Sequence, residues 1–165
     1  MALVTDLAAR VHQALRSVGA TVATAESLTG GRLAAALTET PGASETYLGG
    51  VVTYATELKV ALLGVEERLV EQFGVVSPEC ARAMATGVRA LTGATYGLAT
   101  TGVAGPAEQE GKPAGTVFVG IAGPGPAEAV ALELAGRRQQ IQERTVREVL
   151  TAFEDVLRRE ETPLG

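Results

Sequence analysis

The sequence predicts an α/β fold, a three-layer α/β/α sandwich built on a mixed, mostly parallel sheet. Three observations carry the prediction. Short β-branched or apolar runs alternate with stretches of helical apolar spacing. Small polar and glycine-rich joints sit where a run hands over to a helical stretch, as in "TVATAESLTGGRLAAAL". Two late runs are joined only through "PGP", a tight link that adds an antiparallel element.

Each element has its own signal. Val4, Leu7, Ala8, Val11, Leu15 and Val18 recur at helical spacing and Gly19 follows, giving an amphipathic helix with a glycine stop. "TVATAE" is a short strand, and "GGRLAAALTET" is a helix ended before Pro41. "GGVVTYAT" is the second strand, with "ELKVALLG" as the helical turns after it, and Glu66, Glu67 and Arg68 read as a solvated helix end. In "SPECARAMATGVRALTG", Ser77 is the cap, Pro78 the first helical residue and Gly93 the stop. "TYGLATTGVAGP" runs as a buried strand into a glycine loop, "GTVFVGIAG" and "AEAVALELAG" are paired strands, and "RRQQIQERTVREVLTAFEDVLRRE" is a long closing helix.

The 165 residues fit one domain, residues 1–165, with no internal repeat and no linker composition. Apolar residues make up 46% and tryptophan is absent, so the core is built mainly of Ala, Val and Leu. A net charge of −5 leaves no basic footprint and argues against nucleic acid or an anionic membrane as the main partner. There is no apolar run of about 18 residues, and Asp6 and Arg10 interrupt any signal-sequence core at the N-terminus. The single Cys80 cannot form an internal disulfide, and a cytoplasmic location is expected.

In such a sheet, ligands bind beyond the carboxyl ends of the strands, which directs attention to the loops after residues 25, 54 and 101. Elimination narrows the chemistry there. The only histidine, His12, lies on the first helix and reads as an ordinary helix-face residue; the only aspartates, Asp6 and Asp155, lie in the terminal helices. A His-rich metal site is unavailable, a carboxylate-only site would draw on scattered glutamates such as Glu26, and neither a metal nor a cofactor is expected. If Ser27 is a nucleophile, its base is therefore not expected to be a histidine. The chain carries twelve arginines but only two lysines, Lys59 and Lys112. Lysine can lose its proton when buried, whereas arginine cannot.

"VVTYATELK" places Tyr54 at a strand end and Lys59 one turn beyond it, so a phenol and an amine can converge on one point. Ser27 reads either as a helix cap or as a nucleophile, and caps are the commoner use of serine before a helix. Thr29, Gly30 and Gly31 behind it let backbone approach a ligand and offer N–H donors. "TTGVAGP" reads either as a ligand loop or as a plain glycine turn, and Cys80, with Met84 and Val88, as core.

Taken together and in order, "TVATAESLTGG", "GGVVTYATELKVALLGV", "GVVSPECARAMATGVRA" and "ATTGVAGPAEQEGKPAGTVFVGIAG" closely resemble the CinA C-terminal domain family over roughly residues 5–158. The resemblance implies hydrolysis of the carboxamide of nicotinamide mononucleotide to nicotinate mononucleotide and ammonia. It implies Ser27 as nucleophile with Tyr54 and Lys59 as its partners, Thr101, Gly102 and Gly105 as the glycine loop, Arg138 on the phosphate side, and a homodimer.

The chain departs from the family pattern at several places. Leu28 stands where cysteine is common, with its side chain expected to face away from the chemistry. "AEQEGKPAG" replaces an acidic residue and paired glycines. Arg137 and Gln142 stand where Asp or Asn and a second basic residue are usual, with Arg137 or Arg144 as substitute phosphate ligands. Two alternatives remain open at this level: a non-catalytic nucleotide- or partner-binding module, and an amidase or esterase for another substrate.

Overall fold

The computed structural model describes residues 3–161. Helices pack on both faces of one five-stranded sheet. In chain order the elements are α1 (Val4–Ser17), β1 (Val22–Glu26), α2 (Arg32–Thr38), a 3-10 turn (Ala43–Glu45), β2 (Tyr47–Val52), α3 (Thr56–Leu63), α4 (Glu67–Phe73), α5 (Pro78–Thr92), β3 (Tyr96–Gly102), β4 (Thr116–Ala122), β5 (Glu128–Glu133) and α6 (Arg138–Glu161).

The strands lie in the order β2-β1-β3-β4-β5. β1 pairs in parallel with β2 and β3, whereas β3–β4 and β4–β5 are antiparallel. The expected mostly parallel sheet is thus only half so by pairing. A parallel return needs a long crossover, usually helical, and the 103–115 connection contains no helix. It closes on itself instead, with Gly115 N–H donating to Val103 O at 2.7 Å.

α1, α2 and α6 cover one face, where Leu7, Val11, Leu15, Leu37, Val149 and Phe153 meet Val22, Leu98 and Val119. On the other face Cys80, Met84 and Val88 of α5 meet Ala23, Ala25 and Ala99. With few aromatics to fill space, this second layer closes by backbone approach. A Cβ on Gly97 would lie 2.1 Å from Ala85 O, and one on Gly120 2.1 Å from Ala81 O, so α5 rests directly on β3 and β4.

The helix signals around α5 hold: Ser77 Oγ accepts from Cys80 N–H at 3.1 Å, Pro78 opens the helix and Gly93 closes it at φ 76°. Other expectations need correction. β2 begins two residues earlier than the predicted "GGVVTYAT" and ends at Val52, after a register shift opposite Val22 and Ala23. Tyr54 therefore lies beyond the strand. Glu67 opens a separate short helix, α4, in which no residue is fully buried and Leu69 and Val70 pack partly against the core. Val18 lies past the end of α1 and is exposed. His12 is fully buried rather than on an open helix face: its Nε2 donates to Leu37 O at 2.7 Å and its Nδ1 meets Thr46 Oγ1. No helix among the described residues is long and apolar enough to cross a membrane.

Candidate active site

β1 is a switch strand. It connects to β2 through α2 on one face, and β2 connects onward to β3 through α3, α4 and α5 on the other. Such an arrangement opens a crevice at the carboxyl ends of the strands between β1 and β3. Ser27 sits at this crevice, directly after β1 and 8% exposed. Its N–H donates to Thr100 Oγ1 of β3 at 3.2 Å, and its carbonyl accepts from Gly30 N–H at 3.1 Å, closing a tight turn. Gln142 Nε2 on α6 donates to Leu28 O at 2.9 Å, so the turn is also held from the helix layer.

Glu26 anchors the same turn from below. Its Oε1 accepts from Thr29 Oγ1 at 2.5 Å and Leu33 N–H at 2.9 Å, and its Oε2 accepts from Ala34 N–H at 3.0 Å. The cap of α2 is therefore this buried carboxylate at the helix's positive end, and not Ser27. With both oxygens engaged, Glu26 is a structural acceptor. No group of three or more His, Cys, Asp or Glu side chains among the described residues could hold a metal ion.

Lys59 reaches the crevice from α3, 1% exposed. Its Nζ lies 2.9 Å from Ser27 Oγ and donates to Thr53 O at 2.6 Å and Tyr54 O at 3.2 Å. Two of the three partners are carbonyls, which can only accept, while the serine hydroxyl can accept or donate. A neutral amine satisfies all three contacts when its two hydrogens face the carbonyls and its lone pair receives the Ser27 proton. Burial lowers the Lys59 pKa from its ordinary value, opposed by the nearby Glu110 carboxylate. Cys80, buried in α5, is pushed up to about 11 by desolvation and remains a thiol of the core.

Tyr54 takes a different place from the one its spacing suggested. Its carbonyl holds Lys59, but its side chain, 60% exposed, turns to the rim, where its hydroxyl accepts from Arg138 Nη2 at 2.8 Å. Because β2 stops at Val52, the residue after Thr53 points outward. Arg138, the first residue of α6, also donates from Nη1 to Gly105 O at 2.6 Å.

Ser27, Lys59, Tyr54, Thr101, Gly102, Gly105 and Arg138 line one cavity of about 340 Å³, within the range of small-molecule sites. Thr101 Oγ1 donates to Val75 O at 2.7 Å across the floor. Thr29, Gly30 and Gly31, expected to face a ligand, lie behind the cavity wall rather than in it. Thr29 is buried against Glu26 and Thr100, Gly30 N–H is used within the Ser27 turn, and Gly31 sits at φ 100° before α2. Leu28 packs with Ala104, Val117 and Ile141 and also contributes to the cavity wall, so it does not face wholly away. Arg137 and Arg144 are exposed outside that wall; Arg144 Nη1 donates to Ala135 O at 3.3 Å. The roles of Thr100 and Gln142 on the Ser27 turn were not legible, since each acts through a contact distant in sequence, whereas Glu26 acts locally and was read only as a scattered carboxylate.

The comparison with known proteins follows from this layout. The CinA C-terminal domain family matches residues 4–157. The chain belongs to that family. A CinA-like protein of Frankia casuarinae is 56% identical over 122 residues, covering 74% of this chain and 28% of that protein. A putative competence-damage inducible protein of Halalkalibacterium halodurans is 46% identical over 144 residues, covering 87% of this chain and 34% of its own length. The chain thus spans about a third of these curated CinA relatives. Among solved structures, a competence-damaged protein (CinA) superfamily protein of Klebsiella pneumoniae aligns with TM-score 0.93 at 34% identity over 96% of this chain and 99% of that one. One from Escherichia coli aligns at 0.89 and 31%, over 94% and 90%.

Proposed function

We propose that the protein hydrolyses the carboxamide of nicotinamide mononucleotide to nicotinate mononucleotide and ammonia, with Ser27 as nucleophile and Lys59 as base. The observation that carries this reading is the buried 2.9 Å contact between Lys59 Nζ and Ser27 Oγ at the wall of the cavity. Lys59 takes the Ser27 proton as Oγ bonds to the carboxamide carbon. Lys59 then returns a proton to the amide nitrogen as the C–N bond breaks, ammonia leaves, and an acyl ester on Ser27 remains. Water adds to that ester with Lys59 again accepting a proton, the C–Oγ bond breaks, and Ser27 recovers its hydrogen as the carboxylate product leaves.

Tyr54 in this scheme contributes its carbonyl to the lysine cradle and its phenol to Arg138, on the side where the phosphate would bind. Gln142 and the 107–115 loop, where the chain departs from the family pattern, both have structural roles in the protein. A nucleotide-binding module without turnover would bind the nucleotide and release no ammonia. The family resemblance also leads us to propose a homodimer. Exposed Leu48 and Val52 on the edge strand β2, with Leu58 and Leu62 on α3, support it, and light scattering across a dilution series would report it.

The deciding assay is ammonia release from nicotinamide mononucleotide, its riboside and free nicotinamide. Turnover of the nucleotide over the other two is expected, and Ser27→Ala should lower kcat by roughly 10⁴-fold or more. Activity of Ser27→Ala within about tenfold of wild type would exclude covalent catalysis by this serine.

A further inference from the structure

The segment 107–112 has a fastening of its own. Ala107, Glu108 and Gln109 line the cavity. Immediately after them Glu110, at φ 54°, and Gly111, at φ 73°, reverse the chain so that Gln109 and Lys112 pair antiparallel. A left-handed conformation is uncommon for glutamate and needs support from its surroundings. The support is a two-pronged grip on the segment before α5. Glu110 Oε2 accepts from Val75 N–H and Oε1 from Val76 N–H, each at 2.9 Å. Lys112 Nζ adds a bond to Val76 O and lies 3.7 Å from Glu110 Oε1. Gly74 makes room for the carboxylate: a Cβ there would stand 2.4 Å from Glu110 Oε1, on a backbone at φ 77°. Val75 and Val76 line the same cavity, so the grip joins two of its walls.

We propose that Glu110 is a latch that fixes the 107–109 wall against Val75 and Val76 and so sets affinity for the substrate, as a positioning residue that touches no reacting atom. The inference rests on the function proposed above. Hydrogen bonds to an ionised carboxylate are about twice as strong as neutral ones, and this carboxylate makes two to backbone. A wall of this kind contacts ground state and transition state alike, so loosening it raises KM and leaves kcat in place.

Glu110→Ala and Gly74→Ala attack the latch from opposite sides. Measured on the alkaline plateau, where Lys59 is neutral in every variant, each is expected to raise KM for nicotinamide mononucleotide about tenfold with kcat within about threefold, and the double variant should add little to either. Glu110→Gln, which keeps one acceptor oxygen, should fall between and guards against a folding defect in the alanine variant. A KM within about twofold of wild type for Glu110→Ala, or a loss confined to kcat, overturns the latch. Limited proteolysis supplies a readout free of turnover: cleavage within 107–112 should accelerate in both alanine variants, and protection equal to wild type also overturns it. If the wild-type protein releases no ammonia from the nucleotide, the proposed function fails, and the proteolysis result still decides the latch.

Discussion

Lys59 is held so that only one of its three partners can exchange a proton with it, and the consequence is measurable. In the proposed role the unprotonated amine is the active form, so kcat/KM should rise with pH and level off once the amine is neutral. Burial lowers its pKa from 10.5, so the plateau is expected to begin below that value. A profile with no rise anywhere below 10.5 would remove Lys59 from the base role. Thr53 offers a second test beside it. Its carbonyl holds Lys59, but its fully buried hydroxyl has no hydrogen-bond partner. Thr53→Val keeps the shape and removes the unmatched group, and an increase in stability of about 1 kcal/mol is expected by chemical denaturation. A loss of that size would show that the hydroxyl is satisfied in solution.

At the scale of elements, the turn after β1 and the start of α2 depend on one side chain. Glu26 binds Thr29 Oγ1 and two N–H groups of α2, so Glu26→Gln turns an acceptor pair into an acceptor and a donor that faces donors. A loss of about 2 kcal/mol is expected, with a fall in kcat because the Ser27 turn loosens with the helix. Unchanged urea midpoint and kcat would show that α2 caps itself. The α5 layer is equally exacting. Gly120→Ala would drive a methyl into Ala81 O and should lower Tm by several degrees.

Over the whole molecule, α1 and α6 are joined by a charged cluster. Arg10 donates to Glu154 from Nε at 2.6 Å, and Arg158 adds a contact at 3.2 Å. The bond from Arg10 lowers the Glu154 pKa from 4.5. A carboxylate with a lowered folded pKa stabilises the protein above 4.5, and this is lost as pH falls through the lowered value. Glu154→Gln should therefore be less stable than wild type at neutral pH, with the gap closing in thermal melts below that range. A gap independent of pH would mean that packing, not charge, is at stake. At this scale the sequence was most readable: apolar spacing with a glycine stop outlined α1, caps outlined α5, and the alternation of runs gave the class. The direction of β4 was not readable, since it depends on how the 103–115 connection folds. In the site, residue scarcity singled out Lys59, whereas Ser27 read as a cap or a nucleophile until the 2.9 Å contact joined the two. The partner of the Tyr54 phenol was not, because Arg138 approaches from the far end of the chain. The latch at Glu110 escaped for the same reason, since Val75 is 35 positions away.

With no tryptophan and three tyrosines, the protein has an unusually quiet optical background. Tyr47 and Tyr96 are at least partly enclosed against the core, while Tyr54 stands open at the cavity lip beside Arg138. Its emission is therefore a built-in reporter of occupancy: a pyridine ring entering the cavity should quench one tyrosine of three, letting binding be followed without any label.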